Sequence, residues 1–157
     1  MGRKKVQPVK SYFSIVMIRV SSFGKVEASW RDELNKRVSR LIPFEWKEIP
    51  LKKSPDKRSS VLLPEEKHFL ESYSSFFILD VGGKVMDSDQ FYSWLFKAPE
   101  RHLVVGPAAG FHSEFKKRAQ GSISLSALTL THKLAQTVLA ESIYRSVCIL
   151  KNHPFVK

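Results

Sequence analysis

The sequence predicts an α/β fold in which helices cover both faces of a parallel β-sheet. The first observation is the order of the segments, since a candidate strand followed by a candidate helix occurs five times along the 157 residues. The second is the character of the strands, which include continuous apolar runs typical of strands covered on both faces. The third is the last helix, which is apolar on nearly every side and must be extensively buried.

The first half of the chain predicts two strands that alternate with two helices. These four elements cover residues 11–20, 26–42, 44–49 and 64–73. The first strand is an apolar run, SYFSIVMIRV, and the first helix has Trp30, Leu34, Val38 and Leu41 at helical spacing. Pro43 ends this helix, and Pro64 with the two acidic residues after it is typical of a helical first turn.

The second half predicts three further strands, each followed by a helix. The strands cover residues 76–81, 102–105 and 122–130, the last running into a loop, and helices begin near Asp87, Ser113 and His132. Residues 82–84 (GGK) predict a turn after the strand that ends at Asp80. Asp87 and Gln90 have the spacing of a capping box. The last helix continues to about Leu150, because no glycine or proline interrupts it.

The charge balance points to a polyanionic partner. Lysine and arginine outnumber aspartate and glutamate by 26 to 15, a formal net charge of +11, which favours nucleic acid before a membrane. No apolar run approaches the roughly 18 residues that span a bilayer. The N-terminus also lacks the apolar stretch of a signal peptide and the pattern of a myristoylation site. We therefore expect a soluble, cytoplasmic protein.

Cysteine usage and the basic N-terminus complete the organisation of the chain. Cys148 is the one cysteine, so no internal disulfide can form, as is usual in a reducing compartment. Its apolar neighbours favour a small core residue over a nucleophile. Residues 1–10 are basic and contain Pro8, which predicts a flexible arm, and residues 11–157 have the length of a single domain.

Several enzyme classes can be set aside from residue spacing. The glycines do not form GxGxxG or GxxxxGK[ST], and the histidines and the cysteine show no metal-ligand spacing, so we expect no bound metal. In open α/β sheets, ligands bind where strands end. The candidate positions are Leu79 with Asp80, residues 106–110 and residues 125–130. From the residues alone, these segments are better explained as ordinary turns between strands and helices than as a ligand site.

One charge pair lies on the otherwise apolar last helix. Glu141 and Arg145 are spaced i and i+4, on the side that also carries Leu134, Val138 and Cys148. Such a pair is explained either by a salt bridge between the two side chains or by a role in a functional site.

The residues from 121 to 155 resemble the C-terminal signature of a known family. SLSALTL, the histidine at 132, AESIYRS and NHPF occur here in the order found in the RlmH family, and the similarity is strongest over residues 79–155. Members of this family are SPOUT-fold methyltransferases that modify N3 of a pseudouridine in large-subunit ribosomal RNA. The resemblance therefore implies S-adenosylmethionine as cofactor, ribosomal RNA in the assembled ribosome as partner, a homodimer, and a deep C-terminal trefoil knot, a rare exception among chain topologies.

The resemblance also implies which residues form the site. The residues that it assigns to the cofactor are Leu79, Gly106, Leu125, Ser126, Ala127, Leu128, Thr129 and Leu130. Arg145 is expected to contact a phosphate or the target base, with Glu141 orienting it or accepting a proton. His132 is a further catalytic candidate, although a histidine at a helix start is more often a cap or a packing residue.

The chain departs from the family pattern at four positions. Pro107 stands in a glycine-rich loop, Gln136 replaces an arginine, and Phe155 and Val156 replace a tyrosine and a histidine. These changes remove a backbone N–H, a fixed charge, a hydroxyl and an imidazole. Two hypotheses follow: an active rRNA methyltransferase, or a family member without catalysis that acts as an RNA- or ribosome-binding dimer.

Overall fold

A computed structural model of the chain describes residues 17–53 and 61–154, and these form a five-stranded, wholly parallel sheet with strand order β2-β1-β4-β3-β5. The elements are β1 (Met17–Phe23), α1 (Ser29–Ser39), β2 (Phe44–Ile49), α2 (Pro64–Ser72), β3 (Phe77–Val85), α3 (Ser88–Leu95), β4 (Glu100–Val105), α4 (Ser113–Arg118), β5 (Gly121–Ser124) and α5 (His132–Leu150). The five strand–helix repeats are confirmed. The predicted arm at 1–10 and the substituted positions 155 and 156 lie outside the described residues.

Helices cover both faces of the sheet, as the apolar strands predicted. Successive residues of a strand point to opposite faces, and they enter two different cores. In β4, for example, Leu103 and Val105 belong to the core under α1, α3 and α5, whereas Val104 belongs to an aromatic core under α2 and α4. In that second core Phe23 packs edge-on against Phe115, with ring centroids 5.7 Å apart.

The first helix is shorter than its apolar spacing predicted. It begins at Ser29 and not at residue 26, because Val26 is used in tertiary hydrogen bonds. Its N–H donates to Glu48 over 2.9 Å, and its carbonyl accepts from Arg31 over 3.1 Å. Trp30 was predicted on the apolar face with Leu34, yet its side chain is exposed and Arg31 is buried in its place.

The predicted turn at residues 82–84 is wrong, because β3 continues to Val85. Leu79 and Lys84 both align with Ile123 of β5, so the intervening residues leave the regular register as a bulge. At Gly83, a Cβ atom would lie 2.7 Å from the backbone nitrogen of Ile123. This glycine therefore allows close approach of two strands and does not form a turn.

The strand predicted at residues 122–130 is confined to Gly121–Ser124. Local hydrogen bonds redirect the chain after it: the Ser124 hydroxyl donates to the Ser126 carbonyl over 2.8 Å, and the Ser126 hydroxyl accepts from the Leu128 N–H over 2.9 Å. Such side-chain bonds compete with the strand ladder. Leu128, which the alternation placed among the apolar positions, is consequently exposed.

Helix α5 has the bounds that the sequence predicted, His132–Leu150. Thr131 caps it through a 3.3 Å bond from the Leu134 N–H. At the other end, Asn152 adopts a positive φ of 51°, and the His153 N–H reaches the Cys148 carbonyl over 2.8 Å, as in a Schellman motif. Cys148 is fully buried, which confirms it as a core residue.

Candidate cofactor groove and neighbouring cavity

The three segments singled out at strand ends come together in one groove. Strands β4, β3 and β5 are neighbours in a parallel sheet, so their carboxyl ends lie at the same edge. The groove is lined by residues 79–81, 105–111, 123–126, Leu128, Leu130, His132 and Ala135. The bulge of β3 forms one wall, the β4–α4 connection forms another, and the loop between β5 and α5 closes the third side.

The groove contains most of the residues predicted to bind the cofactor. Six of those eight line it, namely Leu79, Gly106, Leu125, Ser126, Leu128 and Leu130. Ala127 and Thr129 belong to the same loop, but both are exposed and neither lines the groove. The extended alternation of the sequence could not show this, because the serine-based turn that begins at Ser124 sets the direction of each side chain.

The Phe111 ring packs so closely against Gly106 that it leaves no room for a side chain at position 106. A Cβ atom at this position would lie 2.9 Å from the Phe111 ring, which also lines the groove and stacks on Phe115 at 4.9 Å. The next residues form a turn in which the Gly110 N–H donates to the Pro107 carbonyl over 2.8 Å. Gly110 has a φ of +89°, a conformation that glycine adopts without strain. Because Gly106 and Gly110 carry no side chains, the backbone of this wall is open to a ligand in the groove.

The charged side chains of the groove are few. Asp80 is the carboxylate among the described lining residues, and its side chain also accepts from Lys116 of α4 over 3.3 Å. No lysine or arginine occurs among the described residues that line the groove, although the whole chain carries a formal charge of +11. A cationic ligand therefore meets little electrostatic repulsion from the walls.

Glu141 and Arg145 line a second cavity and not the groove. This cavity lies between α5 and the start of α3, and it shares Ile123, Ser124 and Leu125 with the groove. The two side chains form the i,i+4 salt bridge that their spacing allowed, with 3.1 Å between Nη2 and Oε1. Both are about half exposed, so the pair contributes little to stability. The structure thus places the three catalytic candidates in two neighbouring compartments.

His132 lies in the groove and is connected to a buried arginine that the sequence did not reveal. Its Nε2 is 3.1 Å from the side-chain nitrogen of Gln136, and the Gln136 oxygen accepts from Nη1 of Arg31. Arg31 is only 3 % exposed and also pairs with Asp32 and Glu48. Burial, together with the positive charge of Arg31, lowers the pKa of His132 below its ordinary value.

The part of the chain that the structure describes offers neither a metal site nor a membrane-spanning helix. Within residues 17–53 and 61–154, no three histidine, cysteine or acidic side chains converge as a metal site requires. The helices in the same ranges do not combine the length and apolar character needed to cross a bilayer.

The family model and the relatives that match this chain are all named as methyltransferases. The family model described as "Predicted SPOUT methyltransferase" matches residues 15–155. A protein of Francisella philomiragia named ribosomal RNA large subunit methyltransferase H is 31% identical over 153 residues, which are 89% of this chain and 99% of that protein. A protein of the same name from Geobacter sulfurreducens is 31% identical over 88% of this chain and 97% of its own length.

Among solved structures, the chain has a weaker likeness to the SpoU methyltransferase AviRb of Streptomyces viridochromogenes, solved with AdoMet. The TM-score is 0.44 and the identity 13%, over 90% of this chain and 60% of that one. The family model and the full-length relatives carry the conclusion: this chain belongs to the SPOUT methyltransferase family and, within it, to the RlmH family.

Proposed function

We propose that this protein is an S-adenosylmethionine-dependent methyltransferase that modifies N3 of a pseudouridine in large-subunit ribosomal RNA. The observation that carries the proposal is the groove at the carboxyl ends of β3, β4 and β5, in a chain whose relatives are named as rRNA methyltransferases. Leu79, Gly106 and the loop from Leu125 to Leu130 are the proposed cofactor-binding residues.

The groove suits this cofactor in the chemistry of its lining and in its charge. Its walls combine apolar side chains with uncovered backbone, which can contact the faces of an adenine and hydrogen-bond its edges. Its described lining includes Asp80 and no lysine or arginine, which favours a ligand that carries a positive sulfonium. The cofactor, when bound, supplies an activated methyl group.

The second cavity is the proposed place of the acceptor base. It shares the segment 123–125 with the groove, so the two compartments adjoin along that segment. The N3 atom must lose its proton as it is methylated, and the Glu141 carboxylate is the candidate acceptor for that proton. Arg145, which Glu141 holds and orients over 3.1 Å, would contact the base or a phosphate.

A fixed positive charge lies next to Gln136, although the family pattern has an arginine at position 136 itself. The guanidinium of Arg31 donates directly to the Gln136 side chain in the interior. This contact favours the active enzyme over the alternative of an RNA- or ribosome-binding dimer without catalysis. The net charge of +11 supports an RNA partner under either hypothesis.

The proposal extends to the assembly and the chain topology. Trp30 of α1 and Leu134 of α5 are about half exposed on helices that pack together, and they would be covered in a homodimer. The sheet order, with β3 between β4 and β5, and the burial of α5 in the core that it shares with α1 and α3 support the C-terminal trefoil knot of the family. Action on assembled ribosomes would place the protein in the cytoplasm.

Mass spectrometry of ribosomal RNA tests the function. Large-subunit rRNA from cells that carry the gene should contain one N3-methylated pseudouridine that is missing when the gene is deleted. Complementation with the wild-type gene should restore the modification, whereas an Arg145→Ala gene should not restore it fully. Identical modification in the presence and absence of the gene would leave RNA or ribosome binding without catalysis as the function.

A further inference from the structure

The hydrogen bonds around Gln136 define the protonation state of a groove residue. Gln136 is completely buried between Arg31 and His132, and its amide group contacts both. A guanidinium has only N–H donors, so the atom of the amide that faces Arg31 must be the oxygen. The amide nitrogen, which has only donors, therefore faces His132.

The same reasoning determines which ring nitrogen of His132 carries the proton. Nε2 of His132 lies 3.1 Å from the amide nitrogen, and a hydrogen bond exists there only if Nε2 is unprotonated and accepts. A neutral imidazole then carries its single proton on Nδ1. Nδ1 has no hydrogen-bond partner among residues 17–53 and 61–154, while the His132 side chain lines the groove.

We infer that Arg31 is a positioning residue that acts through Gln136, holding His132 as the neutral Nδ1–H form so that the ring offers a hydrogen-bond donor to the groove. In this state His132 cannot serve as a general base, because Nε2 is engaged with Gln136 and Nδ1 already bears the proton. We infer a role for His132 that differs from the catalytic one that the family resemblance implies. Its role is to bind and orient the ligand.

Two charged groups accompany Arg31 and support this arrangement. Asp32 and Glu48 accept from the same guanidinium, at 2.9 Å and 3.4 Å, which fixes its plane relative to Gln136. The lowered pKa of His132 has the sign that a neutral ring next to a buried cation requires. A neutral His132 also avoids placing a second positive charge beside a cationic ligand. That last consequence rests on the proposed cofactor, whereas the tautomer does not.

Nitrogen NMR of the intact, ligand-free protein tests the inference. In uniformly ¹⁵N-labelled protein at neutral pH, the His132 ring should show Nδ1 as the protonated nitrogen and Nε2 as the unprotonated one. The signals are assigned by their loss in His132→Gln. Protonated Nε2 in the wild type, with or without protonated Nδ1, would overturn the inference.

The near-isosteric substitution Gln136→Glu provides a second test of the tautomer. In Gln136→Glu, a carboxylate accepts from Arg31 and can only accept from His132, so the proton should move to Nε2 and the two nitrogen shifts should exchange. The matched control is Gln120→Glu, which adds the same charge to an exposed amide paired with Ser75 and should leave His132 unchanged. An unprotonated Nε2 in Gln136→Glu would contradict the inference. Neither NMR result depends on methyl transfer, so failure of the proposed function would be separately visible.

Discussion

Glu141 accepts a 3.1 Å hydrogen bond from Arg145, one turn later on α5, and both side chains face a cavity that shares residues 123–125 with the cofactor groove. Because the pair is about half exposed, its removal should cost less than about 1 kcal/mol of folding free energy. Substitutions at either position therefore report on function with little interference from stability.

Replacement of Arg145 by alanine should reduce methyl transfer to ribosomes well over tenfold, more than about 1.4 kcal/mol of transition-state stabilisation. Arg145 is the cation among the residues that line the second cavity, where we place the acceptor base. Binding of S-adenosylmethionine should change little, since Arg145 does not line the groove. The measurements are kcat/KM with ribosomal substrate and calorimetric titration of the cofactor.

The matched control for this substitution is Lys117→Ala. Lys117 also forms a one-turn pair, 3.4 Å from Glu114 on α4, and its loss removes one positive charge at a residue that lines neither cavity. This variant should retain activity within about twofold of wild type, a difference near 0.4 kcal/mol. Full activity in Arg145→Ala would show that the acceptor site lies elsewhere.

Adding a single methyl group at Gly106 should weaken cofactor binding at least tenfold. The new Cβ would lie 2.9 Å from the Phe111 ring, and the displaced ring narrows the groove that it lines. Gly82→Ala is the control, because its Cβ would be 3.7 Å from Asp80, an ordinary contact. Calorimetry should give about one cofactor per chain for wild type and Gly82→Ala. Equal affinities for the Gly82 and Gly106 variants would exclude this groove as the binding site.

The sequence predicted the order of the elements and the location of the groove because both follow from local patterns. Apolar runs located the strands, and α5 has the predicted bounds because no glycine or proline interrupts it. Two features that it could not predict depend on contacts distant in the chain, whereas the early end of β5 follows from local serine hydrogen bonds. Arg31 and Gln136 are 105 positions apart, and nothing in the spacing around Trp30 distinguishes a buried arginine from an exposed one. The close approach of Gly83 to β5 also joins residues that are distant in the chain, so the sequence did not predict it.

His102 should make the fold sensitive to mild acid. Burial, with a contribution from Arg19 that exceeds the opposing one from Glu45, lowers its pKa from 6.5 to about 4, and its Nε2 lies 2.8 Å from the Ser21 hydroxyl. Between these two values the unfolded chain binds a proton that the folded chain does not. Stability is therefore complete above pH 6.5 and falls as the pH drops towards 4, by up to about 3 kcal/mol.

Urea unfolding at a series of pH values measures this loss. In His102→Gln, stability should be lower at pH 7 but should change much less between pH 6.5 and 5. His68 is exposed, and His68→Gln should retain the wild-type pH dependence. An unchanged slope in His102→Gln would show that other groups cause the acid sensitivity.

The homodimer can be tested at Leu134. Its side chain is 48% exposed on α5, the helix that packs against α1 with the exposed Trp30, and a charge placed there would be buried without a partner in the proposed dimer. We expect light scattering to give a dimer for wild type at micromolar concentration and a monomer for Leu134→Glu. Val61→Glu, at an exposed valine just before α2, should remain dimeric. A monomeric wild type would contradict the proposal.

Restoring the arginine of the family at position 136 should destabilise this protein. Gln136 is fully buried against the guanidinium of Arg31, so Gln136→Arg would place a second guanidinium beside one that is itself only 3 % exposed. Two buried like charges should cost about 3–5 kcal/mol of unfolding free energy, measurable by urea denaturation.

The exchange variant Arg31→Gln/Gln136→Arg separates charge repulsion from simple crowding. It keeps one guanidinium and one amide in the same space, so it should recover more than half of the stability that Gln136→Arg loses. A double-mutant cycle with Arg31→Gln should then show a coupling of about 2 kcal/mol or more between the two positions. If Gln136→Arg were as stable as wild type, or if the exchange gave no recovery, Arg31 and Gln136 would not form the direct contact on which the position of His132 depends.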